Sequence, residues 1–360
     1  MLKVEHVTSH RKTSPSKTSP HTTSRATGSH DWQPDRFLDR YETLTIPLRA
    51  DRDGEGPIDA TLIRKPGAVD APKGAVLYVH GFTDYFFQED LADFFHDRGY
   101  AFYALDLRRC GRSLRDGQTP HFTSDLEVYD EELTAALDVV VDEIAAAGGD
   151  DRVIVAAHST GGLITPLWLD RLRRTDPDRH AHVGGLLLNS PWLDLQGEAV
   201  LRSAPVGKVM SVAGSLRPKS VVPTGLSTAY GESLHESAHG EWSYDLDRKP
   251  LGGFPVTFGW ISAVRKGHAA VHRGDIDAGV PTLVLRSDKS RFRSQYDVSA
   301  DSADCVLDVK QIAQWSPFLS RRVLAVVVPD ARHDVFLSKQ APRETAYETV
   351  DGWLSSEFGK

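Results

Sequence analysis

A serine at the apex of a glycine-flanked turn, two histidine-bearing strand ends and three aspartates could do chemistry together in this chain. The stretch Ala156-Ala157-His158-Ser159-Thr160-Gly161-Gly162 follows an apolar run and leads into a segment of helical period. A serine at such a turn is forced into strained backbone angles, and strand and helix crowd each other there. The residues two before and two after it must therefore be small. They are Ala157 and Gly161, so alanine stands where glycine is usual and adds one methyl. A serine activated by a neighbouring base attacks acyl carbons, and the tetrahedral oxyanion that results needs two preorganised N–H donors. Thr160, just after the serine, supplies one. Phe82, in His80-Gly81-Phe82-Thr83-Asp84 after an earlier apolar run, is the natural second.

The base and the acid are sought downstream. Of the 15 histidines, His333 stands out because it follows the last apolar run, in Pro329-Asp330-Ala331-Arg332-His333-Asp334. Nucleophile, acid and base in the chain order Ser, Asp, His fit a Ser-His-Asp triad. Three aspartates lie at suitable strand ends: Asp288, Asp304 and Asp194. Asp288 has the shortest tether to its strand, although the adjacent Lys289 could hold it at the surface. Asp304 requires the chain to loop out and return, with Asp308 left to cap the following helix. Asp106-x-Arg108-x-x-Gly111-x-Ser113 is expected to support the site without doing chemistry, Arg108 tying a carboxylate and backbone carbonyls together.

These residues need a frame. Short, nearly continuous apolar runs at 75–79, 101–105, 153–157, 185–188, 282–285 and 323–328 suit strands buried on both faces of a parallel sheet. Helical segments are expected at 88–98, 124–147, 160–174, 309–318 and 341–358. Residues 42–48 and 59–65 read as a hairpin around Asp51-Arg52-Asp53-Gly54-Glu55-Gly56-Pro57. The alternation predicts an α/β class fold, a doubly wound, mostly parallel sheet with an antiparallel hairpin at one edge. Residues 191–271 interrupt it with Trp192, Trp242, Trp260, Phe254, Phe258, Tyr230 and Tyr244. Such a gap is expected to be an inserted cap over the carboxyl edge of the sheet, splitting the core into 40–190 and 272–358. Residues 1–30, rich in Ser, Thr, Lys and His, are expected to form a disordered tail.

Composition narrows the function. A chain of 360 residues with 42 basic and 50 acidic side chains has a net charge of −8, which disfavours nucleic acid as a partner. The two cysteines, Cys110 and Cys305, form no disulfide framework and fit reduced thiols in a cytoplasmic protein. No apolar run spans a membrane, and no leader-like apolar segment opens the chain. Neither a metal-ligand spacing nor a dinucleotide or phosphate loop is present, so no cofactor and no metal is expected. The expected partner is a small-molecule ester.

Taken together, His80-Gly81, the Asp106 to Ser113 pattern, His158-Ser159-x-Gly161-Gly162, Ser302-Ala303-Asp304-x-x-x-Asp308 and His333 carry a resemblance. The chain resembles the monoacylglycerol lipase and lysophospholipase branch of the α/β-hydrolases, also called serine aminopeptidase-like hydrolases, over roughly residues 40 to 358. The resemblance implies the α/β-hydrolase fold and maps the family's acid onto Asp304. It implies hydrolysis of carboxylic esters, monoacylglycerols or lysophospholipids among them, through an acyl-enzyme. Other triad chemistry on the same scaffold, cleaving an amide, a lactone or a carbon–carbon bond, is the competing reading. A non-catalytic ligand-binding module is a third.

Overall fold

Residues 30–67, 71–196, 210, 212–223 and 227–359 are described by the structure, a computed structural model. The tail expected at 1–30 lies, His30 apart, outside the described residues, as does part of the expected cap. Asp31 to Lys360 form one compact unit.

Nine strands make one sheet in the order β1-β2-β3-β5-β4-β6-β7-β8-β9. They are β1 (Gln33–Pro34), β2 (Glu42–Pro47), β3 (Asp59–Arg64), β4 (Ala75–Val79), β5 (Ala101–Asp106), β6 (Val153–His158), β7 (Val183–Asn189), β8 (Thr282–Ser287) and β9 (Val323–Val328). From β5 to β9 all neighbours are parallel, while β1 to β3 are antiparallel and β3 pairs antiparallel with β5. The doubly wound, mostly parallel sheet with a hairpin edge is thus observed. The two-residue β1 extends it in a way the apolar pattern does not announce, because Gln33 and Pro34 are exposed.

The period-2 geometry of each strand splits its side chains between two cores. Ala75, Leu77 and Val79 of β4 face one core with α2 (Asp130–Ala146) and α3 (Gly161–Thr175). Val76 and Tyr78 face the other, with α1 (Glu89–His96) and the C-terminal helix Gln340–Phe358. The helix expected over 124–147 starts as a 3-10 turn, Leu126–Tyr129, whose cap Asp125 accepts from the Glu127 N–H. The segment 309–318 ends likewise, Val309–Trp315 being followed by a 3-10 turn at Ser316–Phe318, because Pro317 cannot donate to an α-helical ladder.

Between β7 and β8 the described residues include the helices Ala229–Leu234 and Phe258–His272. The second starts where the Thr257 side chain accepts from the Trp260 N–H. It packs on α3 with Gly267 at the contact, where an added methyl would meet Leu126 and Leu163 at 3.0 and 3.1 Å. His268 and His272 each bond a carbonyl, of Trp192 and Leu193, fastening the helix to the chain leaving β7.

Candidate active site

The turn between β6 and α3 carries Ser159 at φ 53°, in the left-handed region that costs a non-glycine residue energy. Neighbours hold it there: its N–H donates to the Asn189 carbonyl, and its own carbonyl accepts from Gly162 and Trp192. Close packing explains the small residues around it. A methyl at Gly161 would sit 2.6 Å from the His80 carbonyl, and one at Gly81 would sit 2.8 Å from the Ser159 Cβ. Ala157 is accommodated in the sheet between Val79 and Leu188.

His333 Nε2 lies 3.0 Å from Ser159 Oγ, and its Nδ1 lies 2.9 Å from Asp304 Oδ2. Because an ionised carboxylate only accepts, Nδ1 carries the proton and Nε2 is left as the acceptor facing the serine. All three side chains are buried. The second oxygen of Asp304 accepts from the Val306 and Leu307 N–H groups at 2.8 and 2.7 Å, and a bridge to Ser290 fixes the backbone. The chain therefore does loop out after β8 and return. Asp308 caps the next helix by accepting from Lys310 N–H.

The other two aspartates do other things. Asp288 turns to the surface beside Lys289, and its Oδ1 accepts from the Asp330 N–H, bracing the positive-φ turn that leads to His333. The short tether that favours Asp288 points its carboxylate at the backbone of the neighbouring turn, not at the imidazole. Asp194 accepts from the N–H of Leu195, while the Nδ1 of His333 is taken by Asp304.

Phe82 and Thr160 line the same cavity as Ser159, and among the described residues neither backbone N–H donates to a protein acceptor. His80 orients the first of them. Its Nε2 accepts from Leu107 N–H, so its Nδ1 bears the proton and donates to the Gly81 carbonyl at 2.7 Å. That carbonyl belongs to the peptide whose other end is the Phe82 N–H. The Asp106 pattern supports this loop. Arg112, not Arg108, bonds Asp106, whose other oxygen accepts from Phe86 N–H. Arg108 ties the Glu132 carboxylate of α2 to the Val128 carbonyl, as the sequence pattern led us to expect.

Several site residues carry no signal of their own in the sequence. Asn189 donates to Asp334 and accepts from Val335 N–H, tying the segment after His333 to the end of β7. Arg332, fully buried, joins the Leu337 carbonyl to Asp301 and so links the loops that carry His333 and Asp304. His158 packs against the His333 ring, and burial lowers its pKa to about 4, so it adds no charge beside that ring.

The cavity measures about 280 Å³. Phe82, Trp260 and Trp192 form one cluster along it, with ring centroids 3.9 and 5.5 Å apart. Asp84 and Lys249 form another: Lys249 Nζ donates to Asp84 Oδ1 at 2.7 Å, ringed by Phe87, Tyr230 and Tyr244. Burial would raise the Asp84 carboxyl, but Lys249 beside it outweighs that and holds the group below its usual range.

A model of the family described as serine aminopeptidase, S33, matches residues 70–306. No curated protein matches the chain. Among solved structures, a soluble variant of monoglyceride lipase from Saccharomyces cerevisiae, in complex with a substrate analog, is 16% identical. It is covered over 92% of this chain and 99% of its own, with a TM-score of 0.65. The monoacylglycerol lipase of Paleococcus ferrophilus is 16% identical over 80% of this chain and 96% of its own, at 0.56. An esterase of Pyrobaculum calidifontis is 18% identical over 88% and 85%, at 0.51.

Proposed function

This chain belongs to the serine aminopeptidase S33 family of hydrolases, and on that premise we propose that it hydrolyses carboxylic esters through a Ser159 acyl-enzyme. The observation that carries the reading is the chain of contacts from Asp304 through His333 to Ser159, opening into an aromatic-lined cavity. His333 takes the serine proton as Oγ attacks the ester carbonyl, and the Phe82 and Thr160 amides hold the oxyanion. His333 then protonates the leaving alcohol. Water, deprotonated by the same ring, attacks the acyl-enzyme and frees the acid and Ser159.

The Phe82, Trp192 and Trp260 cluster favours an acyl chain over a peptide side chain. An aminopeptidase would need net negative charge to receive a free ammonium. The one carboxylate of the second cluster, Asp84, is already neutralised by Lys249. Monoacylglycerols and lysophospholipids fall within the ester class so defined.

The reading is tested with p-nitrophenyl esters of graded chain length and a fluorophosphonate probe. Wild type should turn over the esters and take up the probe at Ser159, and Ser159→Ala should lose both. A wild-type protein inert to ester and probe alike would favour a binding module instead.

A further inference from the structure

The two edges of the sheet are finished differently. At one end β1 is two residues long, carries Pro34 and exposes only Gln33 and Pro34. Short, proline-bearing strands are how sheets blunt an edge against pairing with another chain. At the other end β9 runs six residues, Val323-Leu324-Ala325-Val326-Val327-Val328, with neither charge nor proline inside it. Leu324 and Val327 are exposed large apolar residues, as is Phe318 in the turn before the strand.

The backbone of β9 is open as well. In its parallel ladder with β8, Thr282 N–H donates to the Arg322 carbonyl and Thr282 lies opposite Val323. The alternation of a parallel ladder then turns the N–H and C=O of Leu324 and Val326 toward β8, and those of Val323, Ala325 and Val327 outward. Among the described residues these outward groups meet no further strand, since β9 ends the sheet.

We infer that β9 is a self-association edge, pairing antiparallel with β9 of a second copy of this chain. Outward groups can exchange both hydrogen bonds only in registers that set outward residues opposite one another. With Ala325 on the twofold axis, Val323 of each copy faces Val327 of the other. The flanking charges agree with this register. Arg321 and Arg322 precede the strand and Asp330 follows it, all three well exposed, each also meeting a charge within its own chain, Asp277, Glu357 and Lys289 in turn. Antiparallel pairing brings the arginines of each copy alongside Asp330 of the other, whereas a parallel pair would set like charges together. Such an isologous contact closes as a dimer and consumes the edge.

The test uses the full chain. Light scattering at micromolar concentration should give twice the 39.7 kDa chain mass. Ala325→Cys should form a disulfide-linked dimer under mild oxidation. Residues paired on the axis lie about 5.5 Å apart at Cα, within disulfide reach, and the native Cys110 and Cys305 are buried. Val323→Cys, facing Val327 of the other copy, should cross-link far less. Ala325→Pro removes only an outward N–H and should yield a monomer that still takes up the fluorophosphonate probe, and Val327→Lys offers a second route to the same result. A wild-type monomer with no Ala325→Cys cross-link overturns the inference. So does a monomer whose Ala325 amide is protected from hydrogen exchange, because another part of the chain would then cover the edge.

Discussion

Asp304 differs from Asp288 and Asp194 in what its two oxygens are given to do. One accepts from His333 Nδ1 and the other is occupied by the Val306 and Leu307 N–H groups, so the carboxylate has no freedom to turn away. In Asp304→Asn the backbone donors hold the remaining oxygen and present the new NH2 to the imidazole. That reverses the tautomer and puts a proton on Nε2, where Ser159 needs an acceptor. A fall in kcat on the order of 10³–10⁴, with KM little changed, is expected from steady-state kinetics. Asp288→Asn should leave kcat within about threefold, because its Oδ1 bond to Asp330 N–H survives the change. Comparable losses in the two variants would show that Asp304 is not the acid. Spacing alone left the choice open, since Asp288 sits closer to its strand. What brings Asp304 to His333, the return of the chain that pairs Asp304 with Ser290, is a tertiary contact with no local period.

Elements set the loop that carries Phe82. Three consecutive residues of that loop are held by one stretch of the expected cap. Thr83 Oγ1 accepts from Phe254 N–H, Asp84 accepts from Lys249, and Tyr85 OH accepts from Asp245 N–H. Thr83 also sits at positive φ, so the turn needs outside support to keep its shape. Lys249→Met should strand a buried carboxylate, at a cost of roughly 3–5 kcal/mol to folding by urea titration. It should also loosen the Phe82 amide. Loss of one oxyanion donor costs about 10²–10³ in kcat, so a partial loosening is expected to cost on the order of tenfold, with a smaller effect on KM. Adding Asp84→Asn should recover most of the stability and not all of the kcat. A Lys249→Met enzyme of full kcat would mean that the oxyanion loop holds its shape without the cap. The central strands β4 to β8 were readable because their buried runs are nearly uninterrupted. This fastening was not, because Asp84 and Lys249 are 165 residues apart and each alone looks like a solvated charge.

At the scale of the whole molecule, legibility follows burial. Where both faces of an element are covered, hydrophobic period alone places it. Where polar groups are buried by distant parts of the chain, only the fold shows it, and histidine is the residue type for which this matters most. His121, His158 and His268 are buried and held neutral: burial lowers His158 to about 4 and His268 to about 3, from 6.5, and takes His121 well below its ordinary value. Each unfolded histidine binds a proton near pH 6.5 that its folded counterpart refuses until much lower pH. The stability these sites contribute is therefore complete above about pH 6.5 and drains away as pH falls toward 4 and 3. For His158 alone the lowering corresponds to roughly 3 kcal/mol. Asp84, held below its usual range, adds its own loss only at the acid foot of the histidine window. Calorimetric Tm should drop steeply between pH 6.5 and 4, with more than one proton taken up on unfolding. His268→Gln keeps a donor for the Trp192 carbonyl without titrating in this range, and should remove one proton's worth of that slope. A variant whose Tm falls as steeply as that of the parent would show that His268 is protonated in the folded state, and the acid sensitivity would then belong to the carboxylates.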